Sequence, residues 1–243
     1  MKNSVVVITG GNGGIGNIVV NKLLKENSKV IVLDINETNN LEIKNHPNYE
    51  FLKTDVTDYK QIEKVHDIIK NKYQHIDYLI SMAGVNMKSE VGGLKSITIE
   101  DIDKSIKLNL NSHIYLVKIM LDLLKIKNTD EMKSIILISS INAISTYGLP
   151  AYSAAKSGLY GFMHSVVNEL GESNIRINTI SLGTVPHMHQ EVKGDEYFEN
   201  YIKDIPIKKF VRPTDVADTI YALLEITKCI NGQNIILDMG QSL

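Results

Sequence analysis

Tyr152 and Lys156 stand four residues apart in A-Y-S-A-A-K, and a glycine-rich run, T-G-G-N-G-G-I-G (Thr9 to Gly16), lies far upstream of them. Residues four apart on a helix are neighbours on one face. A free phenol titrates at about 10, too high for easy proton exchange at neutral pH. An ammonium one turn away favours the phenolate and lowers that value. The pair therefore suits giving a proton to a carbonyl oxygen or taking one from an alcohol. The glycine run suits an anion. Gly10 permits a tight turn, while Gly14 and Gly16 leave room for a diphosphate and for close helix packing. The helix N-terminus that follows supplies amide donors and a partial positive charge. Gly10, Asn12, Gly14, Ile15 and Gly16 are thus candidate dinucleotide contacts. Alone, the tyrosine–lysine pair reads as ordinary helix surface and the glycines as a ligand-free turn. Together they point to hydride transfer at a carbon–oxygen centre.

Asp34 stands 18 residues past Gly16, at the end of a second apolar run. A carboxylate there accepts hydrogen bonds from the adenosine ribose hydroxyls and repels the 2′-phosphate of NADP. Ile35 and Asn36 follow it, and the glycine loop holds no Lys or Arg. NAD(H) is therefore the preferred cofactor, with NADP possible. The plainer alternative is a turn or capping aspartate. Asp55 and Val56, past a third run, are placed to meet the adenine ring, or Asp55 serves a turn.

The elements that must position these groups are legible as alternation. Short β-branched runs occur at Val5 to Ile8, Lys29 to Leu33, Glu50 to Lys53, Asp77 to Ile80, Ser134 to Ile138, Arg176 to Ile180 and Asn234 to Asp238. Helical spacing occupies Ile15 to Glu26, Tyr59 to Lys72, Ile99 to Leu124 with a break near Leu108, Pro150 to Glu172, and Thr214 to Ile226. Pro150 suits a first turn and Thr214 an N-cap. Continuous apolar strands separated by helices imply a parallel sheet covered on both faces. The right-handed crossover rule then gives an α/β, doubly wound Rossmann-type fold of about seven strands. At 243 residues the chain fits one such domain, 1–243. A variable loop at about 183–206 is read as a substrate lid.

Net charge is −2 and the basic residues form no stripe, so neither a nucleic-acid nor a membrane partner is expected. Cys229 is the single cysteine, read as a small buried hydrophobe in a reducing compartment. The first apolar run is too short for a signal segment or a span, and a cytoplasmic location is expected.

The same residues resemble a classical member of the short-chain dehydrogenase/reductase family. The resemblance runs from Val5 to Gly240. It is carried by the glycine run, Ala83-Gly84, Asn109, Ser139-Ser140, Tyr152 and Lys156, Arg176 to Gly183, Arg212 to Ala217, and the closing N-G-Q and D-M-G of Asn231 to Gly240. It implies that Lys156 also holds the nicotinamide ribose, that a serine bonds the substrate oxygen, and that Asn109 orders a proton-relaying water. Ser140 is favoured by its place at the strand end and Ser139 by spacing to the tyrosine; only one of the two faces the pocket. Gly183 and the backbone of Val185 are placed near the nicotinamide. A homotetramer or dimer is implied. The chain departs from the family pattern at Met82, Leu182, His187 and Met239. His187 and His189 form H-x-H without an evident third ligand, so they are read as loop histidines and no metal is expected.

The expected activity is NAD(H)-dependent conversion between a secondary alcohol and its ketone, with both as small-molecule partners. A 3-oxoacyl thioester (acyl carrier protein) reductase using NADPH is the second reading, and a dinucleotide sensor without turnover the third.

Overall fold

The computed structural model describes residues 1–125, 131–145, 148–186 and 199–243. The seven apolar runs form β1 (Val5–Thr9), β2 (Lys29–Asp34), β3 (Tyr49–Lys53), β4 (Tyr78–Ser81), β5 (Lys133–Ser140), β6 (Ile175–Leu182) and β7 (Asn234–Leu237). They pair as one sheet in the order β3-β2-β1-β4-β5-β6-β7, and each pairing is parallel. Every residue of β1, β4, β5 and β6 is buried. That is why these strands read as unbroken apolar runs and not as alternation.

Helices cover both faces. They are α1 (Gly14–Lys25), α2 (Leu41–Lys44), α3 (Tyr59–Tyr73), α4 (Ile99–Ile106), α5 (Ser112–Leu124), α6 (Pro150–Gly171) and α7 (Pro213–Tyr221). Alternate strand residues sort into two cores. Val6, Ile8, Val30, Val32, Ile136 and Ile180 pack with Val19, Leu23 and Leu24 of α1 and with Val216 and Ile220 of α7. Val5, Val7, Ile31, Leu33, Ile135 and Leu137 pack with Ile62 and Ile69 of α3, Leu116 and Met120 of α5, and Leu159 and Met163 of α6. Each such side chain contributes about 1.5–3 kcal/mol on burial. A one-residue slip in register would send a strand's residues into the wrong core.

Strand order reverses between β1 and β4, which opens a crevice at the carboxyl ends of the strands. The Thr9, Asp34, Ser81 and Ser140 ends all meet that edge. Arg176 anchors the far side. Its guanidinium donates to the carbonyls of Leu223 and Leu224, at 2.8 and 3.2 Å, and to that of Ile230 at 3.1 Å. It thereby satisfies the carbonyls that end the last helix.

The long fourth helix does break where the sequence indicates. A π-helical turn, Lys107–Asn111, joins α4 to α5 and contains Leu108. Other details differ from the sequence reading. The cap of α7 is Arg212, not Thr214: Pro213 takes the first position, and the Asp215 carboxylate reaches back to the Arg212 amide at 3.0 Å. A second π turn, Ala222–Ile226, ends that helix. Asp77 lies just outside β4, where its carboxylate takes the Val5 amide at 2.7 Å and the buried Lys133 ammonium. Cys229 is exposed, in the turn after the last helix, and not buried. Short helical segments at Leu41–Lys44 and Lys88–Lys95 had no periodic signal. Within the lid, residues 187–198, with His187 and His189, lie outside the described residues, and Ile202–Asp204 is a 3-10 turn. Among the described residues no helix is long and apolar enough to cross a membrane.

Candidate active site

The glycine loop is defined by close approach. Gly10 has φ +68°, and a β-carbon there would stand 2.9 Å from Cα of Ala83. The turn after β1 is thus pressed onto the turn after β4. A β-carbon on Gly16 would stand 2.2 Å from the Gly10 carbonyl, so the first turn of α1 tolerates no side chain at that position. The N-cap, Gly13, offers no side-chain acceptor, and the first turn carries no acidic residue. First-turn amides lack intrahelical acceptors. Here they are left by the protein's own side chains for an anionic ligand, which fits the diphosphate of a dinucleotide.

Asp34 closes one side of this cradle. Its Oδ2 accepts the Asn12 amide at 3.1 Å and its Oδ1 the Asn36 amide at 3.2 Å. The Asn12 side chain donates to the Asn36 carbonyl at 2.7 Å and accepts the Tyr49 hydroxyl at 3.0 Å. Asp34 is therefore a turn aspartate by its bonds, at the carboxyl end of β2 beside the glycine loop. Ile35, next to it, is 57% exposed. Asp55 is also a turn aspartate: its Oδ1 accepts the Thr57 amide and hydroxyl at 2.9 and 2.8 Å, and Val56 is buried beside it.

At the other end, α6 begins with Pro150 at its first position and brings Tyr152 and Lys156 to the ends of β4 and β5. Lys156 is 2% exposed, and its ammonium donates to the Ile138 carbonyl at 2.8 Å. Asn109, in the π turn, holds the chain after β4 from both sides. Its Oδ1 accepts the Val85 amide at 3.1 Å, and its Nδ2 donates to the Val85 carbonyl at 2.9 Å. A π turn inside a helix is often found at functional sites. Gly84 is where these groups converge: a β-carbon there would stand 2.7 Å from Oδ1 of Asn109 and 3.1 Å from Nζ of Lys156. Beside them Gly183 pairs its amide with the Leu237 carbonyl at 2.9 Å, and Val185 is buried.

The two serines diverge as adjacent strand residues must. Ser139 donates to the Lys156 carbonyl at 3.1 Å and lies 3.4 Å from the Tyr160 hydroxyl, which pairs with Ser181. It is bound into the sheet–helix contact. Ser140 caps the short turn Ile141–Ala143, donates to Oδ1 of Asn142 at 3.0 Å and stands by the Tyr152 phenol. The structure thus brings Asn109 and Lys156 together at Gly84, with the Tyr152 ring under the Lys156 ammonium and Ser140 by the Tyr152 phenol.

The comparisons agree with this architecture. The family model described as enoyl-(acyl carrier protein) reductase matches residues 10–242. The 3-oxoacyl-[acyl-carrier-protein] reductase FabG of Buchnera aphidicola is 32% identical over 224 residues, covering 89% of this chain and 87% of its own. The chain belongs to the short-chain dehydrogenase/reductase family. Its members are oxidoreductases that act on CH–OH groups with NAD(P). Carbonyl reductase family member 4 of Xenopus laevis is 30% identical over 247 residues, 99% of both chains. A short-chain dehydrogenase family protein from Francisella tularensis shares the fold with a TM-score of 0.84 at 29% identity, covering 98% of both chains.

Burial dominates the electrostatics of the site. Burial pushes the phenol up to about 12, the Ser140 hydrogen bond opposes that rise, and the Glu90 charge adds to it. Burial also brings Lys156 down to about 7. The ammonium sits over the tyrosine ring, 5.7 Å from its centre, while donating to the Ile138 carbonyl.

Two groups at the site were missed in the sequence. His113, one turn past Asn109, is fully buried; burial first, and then the Lys156 charge, hold its pKa well below the usual value. Glu90 is fully buried and accepts the Tyr152 amide at 3.1 Å. Only the spacing of His113 from Asn109 offered a signal. Glu90 lies in an aperiodic connection that offered none.

Proposed function

We propose that this chain is an NAD(H)-dependent oxidoreductase acting on a secondary alcohol or its ketone. The observation that carries the cofactor choice is Asp34, a carboxylate at the end of β2, bonded to the glycine-loop amide of Asn12 and followed in sequence by the uncharged, exposed Ile35, with Lys53 of β3 as its register partner. Such a carboxylate favours ribose hydroxyls over a 2′-phosphate. The contacts to the dinucleotide would come from Gly10, Asn12, Gly14, Ile15 and Gly16 at the diphosphate. Asp34 and Ile35 would meet the ribose, Asp55 and Val56 the adenine, and Ala83, Gly84, Gly183 and Val185 the nicotinamide half.

Bound nicotinamide supplies or accepts the hydride. The chain's own groups handle the oxygen and its proton. Tyr152 gives the proton to a carbonyl oxygen or takes it from an alcohol, Ser140 hydrogen-bonds the same oxygen, Lys156 holds the nicotinamide ribose, and Asn109 relays protons through water. The Ser140 hydroxyl standing by the Tyr152 phenol supports a substrate oxygen as their common target. A homotetramer or dimer is the expected assembly, which sedimentation velocity reads directly.

The likeness to a 3-oxoacyl-[acyl-carrier-protein] reductase favours a second reading, reduction of a 3-oxoacyl thioester with NADPH. Calorimetric titration with NADH and with NADPH separates the two. At least a tenfold preference for NADH, about 1.4 kcal/mol, is expected, and Asp34→Ser should narrow it. A preference for NADPH would overturn the Asp34 argument and put the thioester reductase first.

A further inference from the structure

The segment Lys88–Lys95, which follows the Ala83-Gly84 turn, carries a buried carboxylate that reaches the tyrosine itself. Glu90 is 0% exposed, and its Oε1 accepts the Tyr152 amide at 3.1 Å across 62 residues of sequence. Its Oε2 is sealed from solvent and has no hydrogen-bond partner. Tyr152 is the third residue of the 22-residue α6, and the N-cap residue, Leu149, has no side chain that can accept. The Glu90 carboxylate therefore takes the place of the missing cap, at the positive end of the helix dipole. A buried charge with one partner is costly, and its persistence calls for a reason. The dryness that makes it costly also makes it strongly felt by its neighbours.

Among the described residues, the charged and titratable groups around Tyr152 are few. Glu90 reaches its amide from the 3-10 segment and Lys156 lies over its ring from the same helix, with the Ser140 hydroxyl arriving from β5. His113 of α5 stands near Lys156. Asp101 of α4 reaches the segment only through its hydrogen bond with the Ser89 hydroxyl.

We propose that Glu90 is a positioning residue for the reaction. Its carboxylate fixes the first turn of α6 at the amide of Tyr152 and, as a buried negative charge held against that residue's backbone, favours proton donation over proton abstraction by its side chain. This rests on Tyr152 being the acid/base group. The charge acts in the same direction as burial, which already disfavours the phenolate. An active site set this way is biased toward carbonyl reduction at neutral pH.

Two variants test it. Glu90→Gln keeps an acceptor oxygen and removes the charge, while Glu90→Met removes both at similar volume. The readouts are the pH profile of kcat for alcohol oxidation and the hydrogen-exchange rate of the Tyr152 amide, which needs no substrate. Glu90→Gln should move the rising limb of alcohol oxidation about one unit to lower pH, with amide protection as in the parent. Glu90→Met should give the same direction of shift, a lower kcat, and exchange at Tyr152 about tenfold faster or more. Superposable pH profiles for the parent and Glu90→Gln would overturn the electrostatic role, and unchanged exchange in Glu90→Met would overturn the cap. If Glu90→Met does not fold, the Glu90→Gln limb decides alone. A limb that survives in Tyr152→Phe would instead count against Tyr152 as the acid/base group, and the exchange rates would still decide the cap.

Discussion

Tyr152 enters the site as the third residue of α6, with its amide held by Glu90 and its hydroxyl near Ser140. Nothing in the spacing Tyr152–Lys156 indicates that the lysine points to a strand carbonyl, because spacing fixes a shared face and not the direction of a four-carbon side chain. Strand alternation made it legible that the two serines diverge, while strand end and spacing pointed to different ones; the structure turns Ser139 to the Lys156 carbonyl and Ser140 toward Tyr152. Glu90 was not, since a single buried carboxylate in an irregular connection carries no pattern. Lys156 has a measurable consequence for stability. Its pKa is about 7 in the fold against 10.5 unperturbed, so between those values the unfolded chain binds more protons. Stability from this group therefore rises as pH climbs through that window and is lowest below pH 7. Lys156→Met should abolish turnover yet raise the thermal midpoint by a few degrees at pH 7, with the gain shrinking toward pH 10.5. A lower midpoint at pH 7 would mean that the bond to Ile138 outweighs the cost of burial.

The strands were legible because burial on both faces leaves little but Val, Ile and Leu in them, as in Val5–Thr9 and Lys29–Asp34. Their ends were less so. Asp77 looks like part of β4 by sequence, yet its carboxylate is committed to Val5 and Lys133. Thr214 has the chemistry of an N-cap, but the proline before it already begins α7, so the cap falls on Arg212. Cys229 was misplaced because a cysteine's usual burial says nothing about a particular turn. The glycine loop was legible in outline, and the structure adds which glycine is under most constraint. Gly16→Ala would set a methyl group 2.2 Å from the Gly10 carbonyl, and backbone cannot yield as a side-chain tip can. The substitution should cost about 1–3 kcal/mol and weaken dinucleotide binding together. Thermal unfolding and titration with NADH check this, and unchanged values for both would remove the close-approach argument.

Across the whole molecule, reversal of strand order between β1 and β4 gathers groups from distant parts of the sequence. Thr9 bonds the amides of Met82 and Ala83 at 3.1 and 3.2 Å, so the dinucleotide loop and the turn beneath the chemistry are one rigid unit. That arrangement explains why a glycine run near residue 10 and a tyrosine near residue 150 could be read together from sequence alone. The substrate was not legible, because the sequence of the segment read as its lid mixes polarities without a pattern. The most direct measurement is NADH oxidation by the parent and by Tyr152→Phe against a panel of ketones and 3-oxoacyl thioesters, with NADH affinity measured on both proteins. The expected result is turnover by the parent, a loss of about 10²–10⁴-fold in the variant, and unchanged NADH affinity. Retention of most activity by Tyr152→Phe on the parent's best substrate would contradict the role given to that tyrosine.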